Sequence, residues 1–118
     1  MTIHERAIGG VTILDIEGPI TMQGGADEVR ETIDRLVGEG RVKLVVNVQA
    51  VPYLDSTAIG ALVRAHTTAI RRGGNMMLLA PTARVRDLLA MTRLLSVLQC
   101  CESEAVAVQR CSAAPSTS

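Results

Sequence analysis

The sequence predicts an α/β domain: a mixed, mostly parallel sheet of four or five strands, opened by a β-hairpin and packed with about four helices. Three observations lead there. Apolar residues alternate from Val11 to Glu17 just after Gly9-Gly10, strand-like and helix-like stretches then take turns along the chain, and the connections between them are short. Parallel strands joined by right-handed helical crossovers satisfy all three.

In the first strand of clear period, Val11, Ile13 and Asp15 point one way and Leu14 and Ile16 the other. Gly9-Gly10 predicts a hairpin turn to a short, partly polar edge strand over residues 3–8. Beyond Gly18-Pro19 and Gly24-Gly25, the spacing of Val29, Ile33, Leu36 and Val37 opposite Asp27, Glu31 and Asp34 predicts an amphipathic helix, closed by Gly38 and Gly40. The near-continuous apolar run over residues 42–48 predicts a central strand buried on both faces.

A second helix is predicted from Asp55 to about Arg72, with Ile59, Leu62, Val63, His66 and Ile70 as its apolar stripe and Gly73-Gly74 as its stop. A strand over 76–79 follows. Pro81 and Thr82 open a third helix with Val85, Leu88 and Leu89 inward; a short strand over 97–100 and a helical turn or two over 103–109 complete the domain. The domain is assigned to residues 1–110, and the Ser/Ala/Pro/Thr-rich stretch 111–118 reads as a disordered tail.

With 118 residues, 47% of them apolar and 20% charged, such a chain buries roughly two thirds of the surface its unfolded form exposes, and it requires neither disulfides nor a structural metal to fold. No apolar run approaches the roughly 18 residues of a membrane span. Glu5 and Arg6 stand where a secretory signal would be apolar, so the default compartment is the cytoplasm. Cys100, Cys101 and Cys111 form no CxxC spacing and read as reduced thiols. A single aromatic residue, Tyr53, and a net charge of +0 argue against direct nucleic-acid binding.

That zero conceals a gradient. Residues 1–40 hold eight acids and three bases, and residues 41–93 hold two acids and eight bases. Either the fold mixes these signs, or the segregation favours a charged protein partner.

The segment with chemical potential runs from the buried strand into the second helix: Leu54-Asp55-Ser56-Thr57-Ala58-Ile59-Gly60. Asp55 is an N-cap, because its carboxylate can accept first-turn N–H groups, and Ser56 is then the first helical residue. At about 100° per residue, Ser56, Gly60, Arg64, Thr67 and Arg71 fall along one flank of this helix, beside its apolar stripe; Thr57 falls farther round. Gly60 would let a partner approach closely, and the arginines could either meet acidic groups or stay solvated.

The order of buried strand, short loop and Asp55-Ser56-Thr57-Ala58-Ile59-Gly60 resembles the signature of the STAS domain family, named for sulfate transporters and anti-sigma factor antagonists. The resemblance spans roughly residues 8–108. In the bacterial anti-anti-sigma branch, it implies Ser56 as the phosphoacceptor, with Thr57 as a secondary candidate. Asp55, Ala58, Ile59 and Gly60 then serve as motif and cap, and Ser56, Thr57, Gly60, Arg64, Thr67 and Arg71 as the partner interface. The implied partner is an anti-sigma factor that is itself a serine kinase. ATP and magnesium are used by that partner, and this chain has no cofactor and no enzymatic activity. A homodimer is compatible with this reading.

Many kinase-regulated relatives carry an acid in the loop after the second strand, where this chain has Thr21 in Gly18-Pro19-Ile20-Thr21. A second reading therefore stays open: a STAS accessory subunit of a transporter ATPase of the lipid-transport type, or a signalling scaffold component, using the same flank without phosphorylation. Other chemistries fail on spacing. Ten helical residues separate Ser56 from His66 by about 15 Å and no GxSxG elbow is present, so a Ser-His-Asp hydrolase is excluded, with His4 only a remote substitute. The glycine pairs match neither GxxxxGK[ST] nor GxGxxG, and Met76-Met77 reads as core filler.

Overall fold

In a computed structural model, the described residues, 1–112, form a five-stranded sheet with the strand order β1-β2-β3-β4-β5. The strands are β1 (Thr2–Ile8), β2 (Val11–Glu17), β3 (Lys43–Ala50), β4 (Asn75–Leu79) and β5 (Cys100–Cys101). The helices are α1 (Ala26–Gly38), α2 (Ser56–Arg71), α3 (Ala83–Met91) and α4 (Glu104–Ser112). β1 and β2 form the antiparallel hairpin, turned by Gly9 and Gly10 at φ 53° and 85°, and every other pairing is parallel. β3 lies at the centre, as its apolar run requires.

The period-2 alternation of the strands builds two cores. Leu14, Ile16, Leu44, Val46, Met76 and Leu78 face the layer of α1, α2 and α3; Val11, Ile13, Val45, Met77 and Leu79 face α4 through Ala107 and Cys111. Full burial of an aliphatic side chain such as Leu62 or Ile33 is worth about 1.5–3 kcal/mol. At the end of the α4 face, Arg6 pairs with Asp15 at 2.6 Å and with Glu104 at 2.7 Å, while Asn47 donates to Asp15 at 2.8 Å. This network joins the hairpin to the last helix.

Three expectations are corrected. Ile70 is 47% exposed, and the buried stripe of α2 is Ala58, Ile59, Leu62, Ala65 and Ala69. Counting only large apolar residues misplaces the stripe, because alanines let the helix approach the sheet. The last strand is two residues long, since Leu94 to Leu98 turns back on itself through Leu98 N–H to Leu94 C=O at 2.7 Å and buries Leu98. An apolar run alone does not separate a strand from a buried turn. Finally, α4 continues through Cys111 and Ser112, two residues into the stretch assigned to the tail; Cys111 is fully buried and donates to the Leu44 carbonyl at 3.3 Å. The rest of that tail, 113–118, lies outside the described residues.

The two charge segments meet where α1 packs on α2, with Asp27 and Asp34 lining the same grooves as Arg64, yet they form almost no ion pairs. Among the described residues, the acids of 1–40 pair within their own segment, as in Arg35 with Glu5 and Arg30 with Asp27, and the one bridge reaching beyond residue 40 into the basic segment is Arg41 to its neighbour Glu39. Arg64, Arg71, Arg72, Arg84 and Arg93 carry no salt bridge among the described residues.

Candidate functional site

The site is the N-terminus of α2. Two loops run side by side to form it: Gly18 N–H donates to Ala50 C=O at 3.0 Å, Ile20 N–H to Tyr53 C=O at 3.1 Å, and Asp55 N–H to Ile20 C=O at 3.3 Å. Asp55 caps the helix as predicted, accepting the Ala58 N–H at 2.9 Å through Oδ1. Its Oδ2 accepts the Met22 N–H at 2.7 Å. The Met22 and Ala58 amides together hold the Asp55 carboxyl below the usual carboxylate range.

Ser56 and Thr57 follow as exposed residues of the first turn, while Ala58 and Ile59 turn into the core. Gly60 is exposed, and a Cβ placed there would meet nothing within 4 Å. Arg64, Thr67 and Arg71 are also exposed. From Ser56 to Arg71 this side of the helix is about 22 Å long. A groove between α1 and α2 brings Thr57, Gly60 and Arg64 together against Asp27 and Arg30. Ser56 is not among the residues lining that groove, whereas Thr57, farther round the helix, lines it with Gly60 and Arg64.

Thr21, in the loop after β2, is engaged with its own turn. It exchanges backbone hydrogen bonds with Gly24 at 2.9 and 3.2 Å and accepts the Ala26 N–H at 3.0 Å. The Asp55 carboxylate, not a side chain at position 21, supplies the negative charge beside Ser56.

His66 is half-buried in the middle of α2, and desolvation lowers its pKa from the ordinary value near 6.5. Asp55 is committed to the Met22 and Ala58 amides, and His4 lies on the exposed β1 edge opposite Asp15, so no triad assembles around Ser56. All three cysteines are free, and burial pushes the Cys111 thiol up to about 11. No group of three or more His, Cys, Asp or Glu side chains among the described residues is arranged to hold a metal. No helix among them is long and apolar enough to cross a membrane.

Sequence reasoning missed two features of this end of the molecule. One is the clamp on Met22. The other is a groove between the loop before α2 and the outer side of α3, where the Arg84 guanidinium lies 5.0 Å from the Tyr53 ring centroid and Met91 is 80% exposed. The lone aromatic residue was the available signal.

These features define a class: small α/β domains in which an exposed serine opens a capped helix at the end of a mixed sheet. Comparison with protein families matches residues 2–107 to the STAS domain, and the chain belongs to the STAS domain family.

Solved structures share the fold at low identity. The Thermotoga maritima protein TM1081 superposes with a TM-score of 0.87 at 19% identity, over 93% of this chain and 94% of that one. An anti-sigma factor antagonist from Mycobacterium paratuberculosis gives 0.80 at 18%, over 94% and 93%. The phosphorylated form of the Bacillus cell fate determinant SpoIIAA gives 0.72 at 16%, over 92% and 98%.

Proposed function

We propose that this protein is an anti-sigma factor antagonist that binds an anti-sigma factor acting as a serine kinase and is released from it when Ser56 is phosphorylated. The observation that carries the reading is Ser56 itself, the exposed first residue of α2 directly after the doubly bonded Asp55. Support comes from SpoIIAA, an anti-sigma factor antagonist that shares this fold and exists in unphosphorylated and phosphorylated forms.

The chemistry is compatible with the local structure. Ser56 Oγ forms a bond to the γ-phosphorus of ATP, the bond to the bridging oxygen breaks, ADP leaves, and the hydroxyl proton passes to a base of the kinase. ATP and magnesium belong to the kinase; this chain acts by binding, in the cytoplasm. The phosphate adds about −1.5 to −2 charges at a helix N-terminus, where free N–H groups and the helix dipole stabilise it, so the domain stays folded. On the contact surface the same charge introduces repulsion and desolvation that an interface fitted to a hydroxyl does not absorb. Thr57, Gly60, Arg64, Thr67 and Arg71 complete the interface.

Thr21 favours the second reading, in which the same surface docks on a transporter ATPase or a scaffold without phosphorylation. Paired pull-downs from the host lysate with wild-type and Ser56→Asp baits separate the two. Loss of a small ATP-binding kinase from the Asp bait, together with phosphate incorporation that Ser56→Ala abolishes, supports the switch. Equal capture of a transporter ATPase by both baits, or undiminished labelling of Ser56→Ala, overturns it.

A further inference from the structure

The outward side of α3 carries an apolar groove and one unpaired charge of each sign. Val85 and Leu89 turn into the core, which leaves Arg84, Asp87, Leu88 and Met91, at i, i+3, i+4 and i+7, as the stripe away from the sheet. With Tyr53 and Leu54 from the loop before α2 they line a groove of about 310 Å³, and Met91 stands out of it 80% exposed. One patch therefore holds both a hollow that a large apolar side chain can enter and a projecting apolar side chain.

Its two charges are placed in the same reciprocal way. Arg84 and Asp87 are one turn apart on the same face, yet neither is in a salt bridge among the described residues. Arg84 lies over the Tyr53 ring, a contact to its face that leaves its edge N–H groups to meet acceptors. One base and one acid select neither an acidic nor a basic partner. They complement a surface that presents the same pair in reversed order, and a two-fold axis produces that surface from this patch itself.

We propose that this face of α3 is the contact between two copies of the chain, packed antiparallel about a two-fold axis between Asp87 and Leu88. In that arrangement Arg84 faces Met91 of the second copy, so each Met91 side chain enters the other copy's groove beside Tyr53, where a thioether packs well on a ring edge. Arg84 is then about 6 Å along the axis from Asp87 of the second copy, four residues at 1.5 Å each, within the combined reach of a guanidinium and a carboxylate. A net charge of +0 sets up no long-range repulsion between copies. Since α3 has nine residues and is about 14 Å long, the contact is smaller than the roughly 1,200–2,000 Å² of a stable interface, and the dimer is weak and reversible. The inference stands apart from the antagonist reading.

The test uses the full chain with carbon-13 in the methionine methyl groups, followed by NMR and sedimentation equilibrium from about 20 µM to about 1 mM. Met91 reports on the groove, Met22 is an exposed reference outside it, and Met76 and Met77 report on the core. The expected result is a concentration-dependent shift of the Met91 methyl in step with a rise of the mass toward that of a dimer, with Met22, Met76 and Met77 holding still. Arg84→Asp or Asp87→Arg sets like charges against each other at both ion pairs and should weaken association about tenfold. An equimolar mixture of the two variants, or the double variant, should restore it, because opposite charges then face each other again.

A chain that stays monomeric at about 1 mM overturns the proposal. So do dimerisation that leaves the Met91 methyl in place, single variants that associate like the wild type, and a loss that the mixture does not recover. A Met91 methyl that ignores protein concentration but shifts with phosphatidylglycerol vesicles assigns the face to a membrane and overturns it too.

Discussion

The Asp55 carboxylate joins two segments 33 residues apart, accepting the Met22 N–H at 2.7 Å while it caps α2 through Ala58 at 2.9 Å. One side chain therefore sets both the start of the serine-bearing helix and the position of the loop in front of it. Any surface that includes Ser56 inherits its shape from this pair of bonds.

Removing the carboxylate should loosen both segments. Asp55→Ala lowers the melting temperature, and Asp55→Asn, whose single carbonyl oxygen replaces the two carboxylate oxygens, falls between Ala and wild type. Amide hydrogen exchange should quicken at Met22 and Ala58 together in Asp55→Ala. Exchange that quickens at Ala58 alone would show that the Met22 bond contributes nothing in solution.

Gly60 sits in the interior of α2 with open space where its Cβ would be. Gly60→Ala should therefore stabilise the free protein by about 0.5–1 kcal/mol in urea unfolding, through helix propensity alone. If the α2 flank is the docking surface, the same variant binds the partner more weakly. Gain in stability with loss of binding is the pattern that separates an interface glycine from a structural one.

Gly74 is the opposite case. A Cβ there would lie 1.9 Å from the Val42 carbonyl oxygen, the atom that accepts the Asn75 N–H at 2.9 Å. Gly74→Ala must push β4 away from the start of β3, at a cost of about 1–3 kcal/mol. Denaturant unfolding should show that loss, and a neutral variant would mean the backbone relaxes freely at this junction.

His66 predicts a pH dependence. Burial lowers its pKa below the unfolded value near 6.5, so the unfolded chain binds the proton more readily and acid favours unfolding. Stability should be constant above that pH and decline as pH falls from about 6.5 toward the folded pKa. His66→Leu should flatten this step while leaving the later, more acidic loss from Asp15, whose pKa is held down first by Arg6. Thermal unfolding from pH 7.5 to 4.5 measures both variants.

Much of the site was legible locally. Asp55 as N-cap, Ser56 as first helical residue and the exposure of Gly60, Arg64, Thr67 and Arg71 follow from capping chemistry and helical period, which act within a turn or two. That Thr57, Gly60 and Arg64 line one groove depends on α1, which supplies its other wall. Ile70 was placed in the stripe because apolarity was counted without knowing which small residues the sheet approaches.

The sequence by itself determined the hairpin at Gly9-Gly10, the central place of the 42–48 run, the cap, the serine and the unequal distribution of charge, since each depends on neighbours along the chain. Tertiary structure alone decided the Asp55–Met22 bond, the Gly74–Val42 approach, the Tyr53–Arg84 groove and the meeting of the two charge segments where α1 packs on α2. Each of these is a distance between groups that no local period relates, fixed only when strands and helices pack.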